Sequence, residues 1–218
     1  MLKVKIVFKG AHVVQPADEI RKLDDKAVIY KKIIGDKIEV SPIPPISLRG
    51  ALRHMACIAA RNLGNDFRKA YFNLFGSDVT KRCFDEEREK NGEELTPSTK
   101  EGKISIILLK GISLNNLSEN KSKIGGNMLK NKFEIRPRIK IDVRKGVIEK
   151  RALAFSKTIS DELDIIFGIK IHGELDEKEE KLLRTALLLL RGWGVGGWTS
   201  IGFGIVKNVE ILEGDSDE

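Results

Sequence analysis

"RGWGVGGWTSIGFG", residues 191–204, holds six glycines, two tryptophans and no acidic side chain. A leucine run, Leu187–Leu190, precedes it, and the apolar segment Ile205–Leu212 follows. Glycine takes backbone angles closed to other residues and lets a second chain come close to the backbone. The loop therefore has two readings. It is a sharp helix-to-strand connection with Gly192 as the helix stop, or it is a surface whose backbone N–H groups cradle phosphates. Both require a helix before it and a strand after it.

Outward from the loop, the periods agree with that requirement. Asp176 with Glu179 forms a capping box ahead of a helix running to Leu190. Leu163–Ile171 (LDIIFGIKI) reads as a strand, so the second half of the chain is β-α-β. The first half repeats the order. Val4, Ile6 and Phe8 alternate with Lys3 and Lys5, the pattern of a half-buried strand. "PIPPISLRGALRHMACIAARNLGN", residues 42–65, is a loop feeding a helix. In it Ser47 is the expected N-cap, Leu48, Leu52, Met55 and Ala59 the buried stripe, and Gly64 the stop. Ile104–Leu109 is a buried strand. The stretch from Gly10 to Pro45 is irregular, with short apolar pieces; Phe67 to Pro97 has no assigned element, and its charge run "DEEREKNGEE" reads as a solvated loop or short helix. The order β-α-β, insert, β-α-β predicts an α+β, ferredoxin-like (split βαβ, RRM-like) domain. On this reading residues 1–218 are one domain. It comprises a first half over 2–113, a basic insert over 114–160, a second half over 161–212 and an acidic tail over 213–218.

The charge is unevenly spread. Between Lys121 and Lys157 stand twelve Lys and Arg against three acids, in a chain whose total is only +7. The positive charge is thus one block, suited to nucleic acid or another acidic partner. Pro137 within "FEIRPRIKIDVRKG" makes that segment an edge strand or hairpin arm. No apolar run is long enough to span a membrane, and MLKVKIVFKG is no signal peptide, so a cytoplasmic protein is expected. Cys57 and Cys83 match no metal spacing, and reduced thiols are the expectation in that compartment. Nothing matches a Walker A loop, a zinc cluster or a Ser-His-Asp set. His12, His54 and His172 are scattered.

Taken together, "IPPISLRGALR" (Ile43–Arg53), "LFGS" (Leu74–Ser77) and "GVGGWTSIGFG" (Gly194–Gly204) resemble the RAMP superfamily of CRISPR-associated proteins. In length and layout the chain is most similar to the backbone subunit of type III, Csm-type effector complexes. The resemblance implies a guide-RNA-binding subunit that assembles with copies of itself or with other effector subunits and meets target RNA. Ser47, Arg49, Gly50 and Arg53 would bind guide phosphates at the first helix, and Gly196, Gly197, Ser200 and Gly202 would lie against RNA backbone. The insert would be the family's thumb. Lys130, Lys132, Arg136, Arg138 and Lys140 would supply phosphate attraction, and Met128, Leu129 and Phe133 an apolar wedge. Registered on Val28-Ile29, Asp25 takes the position of the family's catalytic carboxylate for Mg²⁺- or Mn²⁺-dependent cleavage of target RNA. Trp193 and Trp198 read as core or subunit-contact anchors rather than base-stacking platforms. Alternatives are a RAMP scaffold that cleaves nothing, a metal-independent endoribonuclease acting on the guide precursor through a histidine, and a basic RNA-binding protein of translation.

Overall fold

The computed structural model describes residues 1–13, 30–34, 37–76, 83–84, 101–114, 133–138, 141–142, 147–148, 154–197 and 199–212. In chain order the described elements begin with β1 (Leu2–Val13), β2 (Tyr30–Ile34), β3 (Lys37–Ser41), α1 (Pro45–Leu63) and α2 (Phe67–Phe75). There follow β4 (Ile104–Lys110), β5 (Ile112–Leu114), β6 (Phe133–Arg138), β7 (Ile141–Asp142) and β8 (Val147–Ile148). The chain then forms β9 (Ala154–Ile171), α3 (Glu177–Leu189) and β10 (Ile205–Leu212), with a 3₁₀ turn over Thr199–Ile201.

The main sheet runs β10-β1-β9-β4, every pair antiparallel. Counting only these four strands in chain order, that is 4-1-3-2, the order of a split βαβ fold. Alternation on β1 buries Val4, Ile6 and Phe8, and the same face of β9 buries Leu163, Ile165, Phe167 and Ile169. Helices α1, α2 and α3 pack together beside this sheet, contributing Leu48, Leu52, Tyr71, Leu74, Leu182 and Leu187 to the core. Fully burying side chains of this size stabilises by roughly 1.5–3 kcal/mol each.

The insert does not merely project from the sheet. β6 pairs antiparallel with the first third of β9, from Phe133↔Ile159 to Arg138↔Ala154. β9 is continuous from Ala154 to Ile171, through the expected end of the insert at residue 160. At Ile159 it carries β1 on one side and β6 on the other. Pro137 thus sits in a hairpin arm, as its chemistry requires.

Three expectations need correction, and one stretch that the sequence left unassigned gains an element. Ser47 does not cap α1: the N-cap is Pro44, and the Ser47 N–H is already bonded to the Pro44 carbonyl (3.0 Å). The Gly10–Pro45 stretch is not wholly irregular, because β2 and β3 form a hairpin that β5 extends into a second, three-stranded sheet. Within Phe67–Pro97 lies a helix, α2, whose Phe67, Ala70, Tyr71 and Leu74 form a buried stripe. Cys57 and Cys83 are not free thiols. They form a disulfide with Cα atoms 5.9 Å apart, tying Cys83-Phe84 to α1. Gly64 and the Asp176/Glu179 capping box stand where the sequence puts them.

Candidate nucleic-acid interface

Where α1, the end of α2, the start of β4 and the end of β9 meet, they line an open cleft of about 660 Å³. Its walls include Arg49, Arg53, Lys103, Ser105 and His172, with exposed Glu101 among them. Arg49 and Arg53 share the cleft because they are four residues apart on one helix face. Arg49 is held from beneath: Nη2 donates to the Phe75 carbonyl (3.0 Å) and Nε to that of Ile104 (3.5 Å). Arg53 Nε donates to the Tyr71 hydroxyl (3.1 Å). Partial burial, and then the charge of Arg53, pull the Arg49 pKa below the ordinary arginine value. No carboxylate among the described residues pairs with Arg49.

A buried carboxylate holds the cleft floor together. Glu179, fully inside, accepts from Lys103 Nζ (2.7 Å), Asn73 Nδ2 (2.8 Å) and the Asp176 N–H (3.1 Å). One side chain thereby joins α2, β4 and α3. Lys103 is therefore committed to structure, since its ammonium also bonds the Glu174 carbonyl (2.8 Å). His172 Nε2 lies 3.0 Å from Ser105 Oγ, and the His172 N–H bonds the Lys103 carbonyl (2.7 Å).

The glycine loop is elsewhere. It closes as a short hairpin against β10, through Gly192 N–H to Val206 O (2.7 Å), Val206 N–H to Trp193 O (2.8 Å) and Val195 N–H to Gly204 O (2.9 Å). Gly204 also donates to the Gly10 carbonyl of β1 (3.2 Å). Its φ of +65° and the Val195 carbonyl packed where a Cβ would sit leave room for glycine alone. Gly196 and Gly202 also have positive φ, yet nothing lies within 4 Å of where their Cβ would be. Gly197 and exposed Ser200 belong to the same loop.

The predicted residues thus fall on two surfaces. Arg49 and Arg53 face the α2–β4 cleft. Exposed His54, one stripe over on α1, turns toward the glycine loop, where its ring meets the Trp193 ring with centroids 5.3 Å apart, and exposed Gly50 lies one helical turn before it. Trp193 is 43% exposed, which excludes the core role expected for it. Arg136 and Arg138 lie in β6, opposite Ser156 and Ala154. Lys130, Lys132, Lys140, Asp25, Met128, Leu129 and Trp198 lie outside the described residues. Among the described residues, no three His, Cys, Asp or Glu side chains cluster as a metal site, and no helix is long and apolar enough to cross a membrane. Sequence reasoning missed Lys103, Ser105 and Glu179. The Glu179 capping role was legible, but its reach to Lys103 depends on how α3, packed on α1 and α2, meets the residue that leads into β4.

The model of the RAMP superfamily matches residues 29–207. The chain belongs to the RAMP superfamily. The match spans α1, the cleft, the basic segment and the glycine loop, and it makes the protein a CRISPR-associated member of an RNA-binding superfamily with a ferredoxin-like fold. No curated protein matches the chain significantly.

Proposed function

We propose that this RAMP protein is the guide-RNA-binding backbone subunit of a type III CRISPR effector, with a backbone phosphate of the RNA seated at Arg49 and Arg53. The supporting observation is the condition of Arg49. Its guanidinium is half-buried and anchored on two carbonyls, it lies beside a second guanidinium, and it has no acidic partner among the described residues. Two adjacent cations repel each other until an anion lies between them. Arginine suits phosphate, because its planar fork can hold two oxygens at once. Such contacts are independent of base sequence, as a guide-binding scaffold requires.

In the same reading the basic segment 121–157 follows the strand electrostatically, and Asp25 is the residue for target cleavage. A divalent cation such as Mg²⁺ or Mn²⁺, bound through that carboxylate and phosphate oxygens, would supply charge neutralisation at the scissile phosphate. A second reading draws on the His172–Ser105 pair: a metal-independent endoribonuclease would need a histidine beside the RNA, and His172 lines the cleft in which RNA is proposed to bind.

The deciding experiment measures binding of unrelated single-stranded RNAs over a range of salt concentrations, for wild type and Arg49→Lys. Lysine keeps the charge but loses the two-carbonyl anchor and the fork. Arg49→Lys should weaken every RNA alike by about 1–2 kcal/mol, and Arg53→Gln should reduce the salt slope by about one. Strong preference for one sequence, or salt-indifferent affinity, overturns the reading. Cleavage of a labelled guide precursor in EDTA, abolished by His172→Ala, would replace it with the endoribonuclease.

A further inference from the structure

The glycine loop and α1 leave one aromatic side chain exposed without an evident structural need for it. Trp193 follows the end of α3 by a few residues, and its backbone is fixed at both polar groups: N–H to Leu190 O (2.9 Å), carbonyl from Val206 N–H (2.8 Å). His54 backs the indole at 5.3 Å, with the ring planes 36° apart. The ring is therefore pre-positioned, and little conformational freedom remains to be lost on binding.

Its surroundings favour an anionic, flat ligand. Neither α1 nor the loop 191–204 carries an acid, and the loop opens on exposed Arg191. Gly192 and Gly196 in the loop, and Gly50 one helical turn before His54, have nothing within 4 Å of where a Cβ would stand. Those three positions let a strand's sugar-phosphate backbone come close to the protein backbone while a base reaches the indole.

We propose that Trp193, backed by His54, is a stacking platform for one unpaired nucleobase of the bound RNA. The proposal rests on the RNA-binding reading above and adds a second contact point, on a different face of α1 from the Arg49 cleft. Stacking on an aromatic ring is tolerant of base identity, because every base has a π-face. It therefore fits a protein that reads RNA shape rather than sequence.

The test uses Trp198→Phe, which leaves Trp193 as the only tryptophan, and follows its fluorescence while a short adenosine oligonucleotide is added. The control is an abasic ribose-phosphate strand of equal length and charge. The adenosine strand should quench and shift the emission, whereas the abasic strand should bind without quenching. Trp193→Ala should weaken adenosine-strand binding roughly tenfold and leave abasic binding unchanged, while Trp193→Phe retains most of the affinity. If Trp198→Phe does not fold, photocrosslinking of a 5-iodouridine strand to the wild-type protein should map to Trp193 by mass spectrometry. Binding without quenching, together with unchanged affinity in Trp193→Ala, overturns the platform and leaves the RNA-binding reading intact. Failure of both strands to bind overturns the reading beneath it. If Trp193→Ala alters only self-association, the ring is a subunit contact and the platform is wrong.

Discussion

Glu179→Gln tests how the cleft is held in shape. The wild-type carboxylate is fully buried and accepts three hydrogen bonds, from Lys103 Nζ, Asn73 Nδ2 and the Asp176 N–H. Glutamine has nearly the same volume, so no cavity opens. It presents one acceptor oxygen where there were two, and turns an N–H₂ toward a donor. Removing one partner of a buried ion pair costs about 3–5 kcal/mol when the other is stranded. Here the stranded group is Lys103, whose side chain is 32% exposed and keeps its bond to the Glu174 carbonyl. Water recovers part of the loss, so we expect about 2–3 kcal/mol. In a protein of this size each kcal/mol is worth about 2–4 °C, which sets a fall in Tm of roughly 5–10 °C. Lys103→Met should cost more, because it leaves the carboxylate buried without its cation. Urea unfolding of both single variants and the double variant gives the coupling, expected at about 1 kcal/mol or more. A cost under about 0.5 kcal/mol for Glu179→Gln, or strictly additive losses, would show that the three-way junction does not depend on this carboxylate.

Other outcomes follow from the same structure. Reduction, or Cys57→Ala with Cys83→Ala, should lower stability by about 3–4 kcal/mol for a sequence separation of 26, checked by urea unfolding with and without reductant. A hydrogen bond from Lys178 (2.9 Å), and then its charge, hold the Asp66 carboxyl below the usual carboxylate range. Because that folded value is depressed, its contribution is present above the ordinary carboxylate pKa and disappears as pH falls through the lowered one. NMR titration should find the Asp66 value rising in Lys178→Met, and no rise would refute the pairing. In the assembled complex, Asp25→Ala should lower Mg²⁺-dependent target cleavage about a hundredfold, near 3 kcal/mol in the barrier, with RNA affinity unchanged, while Asp24→Ala is mild. Full cleavage by Asp25→Ala would remove it from the reaction.

Local patterns in the sequence determined much of this protein. Alternation in Leu2–Phe8 marked a half-buried strand because side chains change face at every residue. Asp176 and Glu179 marked a helix start because they satisfy its orphan N–H groups within three residues. The β-α-β order and the three separated motifs were enough for the fold class and the superfamily. Two further signals were present and unread: the Phe67/Ala70/Tyr71/Leu74 stripe of α2, and Gly35-Asp36 between β2 and β3, a two-residue spacer of the kind hairpins use.

Only the tertiary structure decided what required residues far apart in the chain. The anchoring of Arg49 was not legible, because its carbonyl partners at Phe75 and Ile104 lie 26 and 55 residues away. The Cys57–Cys83 bond depends on where the segment after α2 returns to α1, which no spacing rule states. Trp193 could be placed in a core or on a surface with equal ease until β10 fixed the loop and brought its ring against His54. Arg53 and His54 are neighbours in sequence, yet a helix turns about 100° per residue. That turn sends one toward the cleft and the other toward the glycine loop, giving one helix two separate surfaces.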